Sequence, residues 1–178
     1  MTEITVKNIN QLKTVLKVGN RNRSKESTGA NEASSRSHAI LKLHVEIKDK
    51  AQSTNEETQV SRLSLVDLAG SERAANTTNK GQRMMEGAKI NQSLLVLGNC
   101  IQALSEMGEK NQKKNFVPYR GSKLTRLLKD SLGGNCRTVM ITHVTPAVSG
   151  FEDTYNTLMY ANRAKYIKNN AVRNVLNA

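Results

Sequence analysis

Residues 62–73 read RLSLVDLAGSER, and the chain is best taken outward from them. Leu63, Leu65, Val66 and Leu68 form an apolar run that stops at Asp67-Leu68-Ala69-Gly70. The pattern predicts a buried strand giving way to a tight turn. A carboxylate where a strand emerges, followed by glycine, suits a metal–phosphate group. Glycine has no Cβ, so its N–H can approach a phosphate oxygen closely. Ser71 and Glu72 follow on the turn. Alone the pattern is weak, since a strand ending in an Asp-Gly turn is common.

Upstream, residues 31–38 read NEASSRSH. Hydroxyls of this kind can ligate Mg²⁺ and position water, and an arginine can grip a carboxylate with two parallel bonds. The same composition also describes an ordinary serine-rich loop. Between the two stretches, residues 39–47 alternate: Ala39, Leu41, Leu43, Val45 and Ile47 on one side, Lys42, His44 and Glu46 on the other. That spacing predicts a half-buried strand, with His44 on its solvated face. A polar connector, residues 48–59, leads back to the apolar run, so an antiparallel hairpin is expected. Such a hairpin brings the serine-rich loop near the Gly70 turn and lets Arg36 pair with Glu72.

The 178 residues suffice for one domain with a core. Lys and Arg number 27 against 15 Asp and Glu, a net charge of +12 that favours an acidic partner. Aromatic residues are only 3%, which argues against a stacking platform for single-stranded nucleic acid. Cys100 and Cys136 stand apart, with no C-x-x-C, so neither a disulfide framework nor a thiolate metal site is expected. A reducing compartment is the simple reading. No apolar run is long enough to span a membrane, and the N-terminus does not read as a signal peptide.

Ile9, Leu12, Val15 and Leu16 predict a helix over residues 5–18, with Gly19 as its stop. Residues 21–30 and 73–87 read as polar loops. Ile90, Leu94, Leu97, Ile101 and Leu104 form a stripe that predicts a long helix, and Gly98 within it implies close packing against a neighbour. Residues 110–129 hold seven basic side chains and no acidic one. Ser122 is a candidate cap for a helix ending at Gly133-Gly134, with Leu124, Leu127 and Leu128 buried. Lys123 and Arg126 share one of its sides. Residues 138–144, TVMITHV, predict a central strand. Ser149 is a candidate cap for a last helix whose face carries Phe151, Tyr155, Leu158, Met159 and Tyr166. Residues 168–178 read as a polar linker.

Together these pieces resemble the kinesin motor domain. NEASSRSH matches its first switch loop and DLAGSER, 67–73, its second. INQSLLVLGNCIQAL, 90–104, matches the relay helix, and VPYRGSKLTRLLKDSLGGN, 117–135, the microtubule-facing loop and helix. DTYNTLMYANRAKYIK, 153–168, matches the last motor helix and the start of the neck linker. The resemblance covers nearly the whole chain, most weakly at residues 1–28 and 77–86. SSRSHAIL with TYNTL-x-YANRAK looks most like the kinesin-eight class.

The resemblance implies an α/β fold: the C-terminal half of a P-loop-NTPase-like motor, a partial central sheet flanked by helices. It implies that residues 1–166 are motor and residues 167–178 begin the neck linker. Ser34 and Ser35 would hold Mg²⁺ and the attacking water, with Asp67 supporting Mg²⁺ through water. Gly70 would sense the γ-phosphate of ATP, and Asn31 would steady the first loop near the nucleotide. Arg36 and Glu72 would close the site and relay a proton. Lys113, Lys114, Tyr119, Arg120, Lys123 and Arg126 would contact tubulin in the microtubule. Cytoplasm and cytoskeleton are the implied location, with spindle or nucleus open.

One departure is serious: no G-x-x-x-x-G-K-[ST] occurs in the sequence. What the chain carries corresponds to the second half of a motor. The expected partner beside the microtubule is therefore the N-terminal motor half, with no nucleic acid and no membrane. ATP and Mg²⁺ are expected in the complete motor and not on this chain alone, which is expected to be catalytically incomplete. The alternative is a non-catalytic, nucleotide-free microtubule-binding module. A nucleic-acid binder, suggested by charge alone, leaves the paired switch loops without a purpose.

Overall fold

A computed structural model describes residues 3–24, 37–48, 57–70, 82–110 and 116–177. The elements in order are α1 (Ile9–Ser24), β1 (Ala39–Lys48), β2 (Glu57–Asp67), α2 (Gln82–Lys110), α3 (Lys123–Gly133), α4 (Phe151–Ala164) and β3 (Val175–Asn177). Single 3₁₀ turns at Tyr119–Gly121 and Val148–Gly150 precede α3 and α4. The chain divides into two compact units. One holds residues up to Ala39 together with Asp67–Gly70; the other holds Ile40–Val66 and the described residues beyond Ser71.

In the first unit, α1 is started by Asn8, whose Oδ1 accepts the Gln11 N–H at 2.9 Å, while Gln11 Oε1 accepts the Lys7 N–H at 2.7 Å. Two otherwise orphan donors are thereby satisfied. The helix does not stop at Gly19 as expected but continues to Ser24. Glycine weakens a helix without ending it unless the backbone turns left-handed. The expected polar loop therefore begins later and gives up Arg21 and Arg23 to the helix's last turn.

The second unit is α/β, as expected. Leu97 and Ile101 of α2 and Leu124 and Leu128 of α3 form the core, with Ile40, Leu94, Leu132, Ala164 and Ile167 packed around them. Burying each of these large side chains stabilises by about 1.5–3 kcal/mol. The long helix starts at Gln82, so its first turns lie in what the sequence suggested was loop. Gly98 is explained as anticipated: a Cβ there would lie 2.5 Å from Tyr160 Cε1 of α4. Gly108 is tighter, since a Cβ would come 2.0 Å from the Tyr166 carbonyl oxygen.

The sheet has the order β1-β2-β3. β3 pairs antiparallel with β2, placing Glu57 opposite Asn177, Thr58 opposite Leu176 and Gln59 opposite Val175. Two sequence expectations are corrected here. Residues 168–178 are not merely a linker, because residues 175–177 form the sheet's third strand. They are tied down further by Asn135, whose Nδ2 donates to Asn174 Oδ1 at 2.8 Å and whose Oδ1 accepts the Val172 N–H at 2.6 Å. Residues 138–144 are not a strand. Val139 is 84% and Ile141 78% exposed. A strand needs a neighbouring edge for its backbone groups, and among the described residues none pairs with this run.

Burial along β1 does not alternate as expected. Its first half is half-covered and its second half exposed, His44 included. The face of α4 bearing Phe151, Tyr155, Leu158 and Met159 is exposed. Ser149 does not cap α4; Gly150 occupies that position, with no side-chain cap.

Candidate functional site

The switch-loop residues divide sharply. Asn31, Ser34, Ser35, Arg36 and Glu72, and with them the expected Arg36–Glu72 pair, lie outside the described residues, as do Lys113 and Lys114. Asp67 and Gly70 are described, and both fall in the first unit. Asp67 Oδ2 accepts from Arg23 Nη1 at 2.7 Å, a salt bridge between a carboxylate left 67% exposed and a guanidinium only 16% exposed. The same guanidinium grips the end of the serine-rich stretch. Its Nε donates to Ser37 Oγ at 3.1 Å and its Nη2 to the Ser37 carbonyl at 2.7 Å.

A second link joins the two motifs: the Ala69 N–H donates to His38 Nδ1 at 2.9 Å. Accepting that bond requires an unprotonated Nδ1. Burial, with Arg23 nearby, lowers the His38 pKa below its ordinary value and keeps the ring neutral. The NEASSRSH and DLAGSER motifs therefore meet at His38 and Ala69. His38 stands out in sequence only as one member of the donor-rich stretch 31–38. Arg23 had no local signal beyond its place in a basic helix end.

The donor chemistry fits a divalent cation held at one remove. One Asp67 oxygen is occupied by Arg23, and the exposed carboxylate retains capacity to accept from a metal-bound water. Among the described residues no group of three or more His, Cys, Asp or Glu could hold a metal directly.

The cationic face belongs to the second unit and grows from α3. Ser122 and Thr125 form the capping box: Ser122 Oγ accepts the Thr125 N–H at 3.0 Å and Thr125 Oγ1 accepts the Ser122 N–H at 3.3 Å. Thr125 is fully buried, and its hydroxyl donates to the Tyr119 carbonyl at 2.8 Å. The Tyr119–Gly121 turn is thereby locked to the helix start. Arg126 folds back over it, Nε and Nη2 donating to the Arg120 carbonyl at 3.3 and 3.0 Å. Arg120, Lys123, Arg126 and Lys129 are all exposed. Among the described residues no carboxylate forms an ion pair with any of them. The Tyr119 ring, half-buried, lies where a Cβ on Gly133 would meet its Oη at 2.5 Å. Burial first, then Cys100 and Asp130, push its pKa up, so it stays a phenol. Lys42 of β1 donates to the Leu127 carbonyl at 2.9 Å, fastening strand to helix.

No helix among the described residues is long and apolar enough to cross a membrane. Cys100 is buried, its thiol pKa raised by burial, and Cys136 is free and half-buried.

Comparison with known proteins identifies the family. The kinesin motor domain model matches residues 1–167. Kinesin-like protein KIF19 of Xenopus laevis is 55% identical over 177 residues, which cover 99% of this chain and 17% of that protein. Kinesin-like protein KIF18B of Gallus gallus is 54% identical over 170 residues, 96% of this chain and 21% of that protein. Both relatives are of the kinesin-eight class. The chain thus spans about a fifth of the length of these curated relatives. Among solved structures, residues 391–772 of KIF14, a dimer with AMP-PNP in complex with a microtubule, superpose with a TM-score of 0.85 at 45% identity, covering 95% of this chain and 46% of that one. The KIF14 structure with ADP in complex with a microtubule gives a TM-score of 0.69 at 44% identity. On these matches the chain belongs to the kinesin motor-domain family, and its kinship is with the kinesin-eight class.

Proposed function

We propose that this chain is the switch-and-track half of a microtubule motor, which in complete form couples ATP hydrolysis to movement along the filament or regulation of its ends. The carrying observation is the face built on α3, whose start is locked by Ser122 and Thr125 and where Arg120, Lys123, Arg126 and Lys129 stand without acidic partners among the described residues. Unpaired cations on a rigid element suit an acidic polymer surface better than a merely solvated face does. The KIF14 neighbours, each in complex with a microtubule, point to the same partner. Cytoskeletal localisation follows from it.

Residues 1–166 are then motor and residues 167–178 the beginning of a neck linker, its end paired to the sheet as β3. ATP and Mg²⁺ would be held by Asn31, Ser34, Ser35, Asp67 and Gly70, the metal by Ser35 directly and Asp67 through water. Bound there, Mg²⁺ supplies charge neutralisation at the terminal phosphate. Arg36 and Glu72 would close the site. Lys113, Lys114 and Tyr119 would extend the track face. With no P-loop lysine in the sequence, the chain by itself lacks most of its phosphate grip and hydrolyses no ATP. A motor segment bearing a P-loop would supply that grip.

The test is cosedimentation with microtubules across a salt series, together with ATP turnover. Saturable, salt-sensitive binding that is lost on combined Arg120→Glu, Lys123→Glu and Arg126→Glu substitution is expected, without turnover. Motor-like turnover by the chain alone refutes its incompleteness. DNA binding as strong as microtubule binding refutes the track assignment. Restored turnover on adding a P-loop-bearing motor half favours the motor reading over a nucleotide-free binding module.

A further inference from the structure

Helix α4 carries apolar side chains on two opposite faces. One is spent inside the second unit, where Tyr160 lies against Gly98 of α2 and Ala164 packs on the core. The other carries Phe151, Tyr155, Leu158 and Met159, all exposed, with Val148 92% exposed just ahead of the helix. Their spacing of i, i+4, i+7 and i+8 makes one continuous stripe. The rings of Phe151 and Tyr155 already stack, their centroids 6.3 Å apart. Single exposed apolar residues are ordinary, but a continuous stripe marks a docking surface.

The charges beside the stripe indicate what covers it. Glu152 stands in the first turn of α4 and Arg163 in the last. They are about three helical turns apart and so flank the same side of the stripe. Two such helices packed antiparallel about a two-fold axis lay the first turn of each on the last turn of the other. Glu152 of one copy then faces Arg163 of the partner copy, and the same contact recurs across the axis. Phe151 and Tyr155 meet Leu158 and Met159. A parallel pairing would instead set glutamate against glutamate and arginine against arginine, so the stripe is complementary to itself in the antiparallel orientation. Phe151 is 68% and Tyr155 55% exposed. With aromatic side chains burying roughly 150–250 Å² each, two copies would bury about 1,000 Å² in all, the lower limit of a specific interface.

We propose that this face of α4 is a homodimer interface, covered by the same face of a second copy of the chain in antiparallel, two-fold arrangement. The proposal goes beyond the track assignment and does not depend on it, since none of the α3 cations belongs to the stripe.

The experiment is sedimentation equilibrium of the full chain over a concentration series. A monomer–dimer equilibrium with a dissociation constant on the order of 10 μM is expected for an interface of this size. Leu158→Glu should weaken it at least about tenfold, because a carboxylate would be set in an apolar contact. Leu158 is exposed, so the far-ultraviolet circular dichroism of that variant should be unchanged. Glu152→Arg and Arg163→Glu should each weaken the dimer. An equimolar mixture of these two single variants should pair as well as the unaltered chain, because each supplies the charges the other needs. A chain that stays monomeric, a dimer that survives Leu158→Glu, or single variants that mixing does not rescue overturns the proposal. The rival occupant is a motor segment bearing a P-loop. If the chain is monomeric alone yet forms a one-to-one complex with such a segment, and Leu158→Glu disrupts that complex, the face belongs to the segment and self-pairing is overturned.

Discussion

Thr125 is where local folding and the cationic face depend on the same atom, and replacing it with valine isolates that atom. Valine fills nearly the same volume, so no cavity opens at this fully buried position. What disappears is Oγ1, which donates to the Tyr119 carbonyl at 2.8 Å and accepts the Ser122 N–H at 3.3 Å. The reciprocal half of the box, Thr125 N–H to Ser122 Oγ at 3.0 Å, survives. Losing the bond and leaving a partly buried carbonyl unmet costs about 2 kcal/mol, and losing half the cap adds about 0.5 kcal/mol. Thr125→Ser makes the opposite change: it keeps the hydroxyl and deletes one buried methyl, at about 1 kcal/mol. Valine should therefore destabilise more than serine, although it is the closer match in shape. Urea unfolding followed by far-ultraviolet circular dichroism reads the difference as a lower midpoint at unchanged m-value. Valine should also weaken microtubule binding more than serine does, because the Arg120 carbonyl that fixes Arg126 belongs to the turn the hydroxyl holds. If serine proves equal to or worse than valine, packing rather than the hydrogen bond governs this position and the reasoning fails.

Two glycines in helices should respond oppositely to alanine. Gly19→Ala in α1 meets nothing within 4 Å and should stabilise that helix by about 1 kcal/mol. Gly108→Ala gains the same propensity but drives its Cβ to 2.0 Å from a backbone oxygen, and overpacking should leave it net destabilised by about 1–2 kcal/mol. Stabilisation of both in urea melts would contradict the close approach of α2 to residue 166. For His38, burial and Arg23 lower the folded-state pKa below the unfolded value near 6.5. Its contribution is thus complete above pH 6.5 and is lost as pH falls through the folded value. NMR titration of the ring should give a pKa under 6.5, and His38→Asn should flatten the acid limb of the stability profile. A ring pKa above 6.5 would show that the bond from Ala69 does not form.

What the amino-acid sequence determined by itself is the information carried by neighbours three or four residues apart. The start and stop of α3 were legible because Ser122, Thr125 and Gly134 act on backbone groups within one helical turn. The cations Lys123 and Arg126 face together for the same reason, and the apolar stripe of α2 reported its buried side down to the close packing at Gly98. The ordered motifs were enough to name the family. What only the tertiary structure decided is which distant segments pair. The apolar run at residues 138–144 has the composition of a central strand yet lies exposed, while the unassuming Val175–Asn177 becomes one, because a strand exists only where another edge satisfies its backbone. Asp67 announced itself as a site residue, but its partner Arg23 sits 44 positions away in a helix end with nothing in the local sequence to mark it. Short-range hydrogen bonds are written into adjacent residues, whereas long-range ones depend on how the whole chain is brought together.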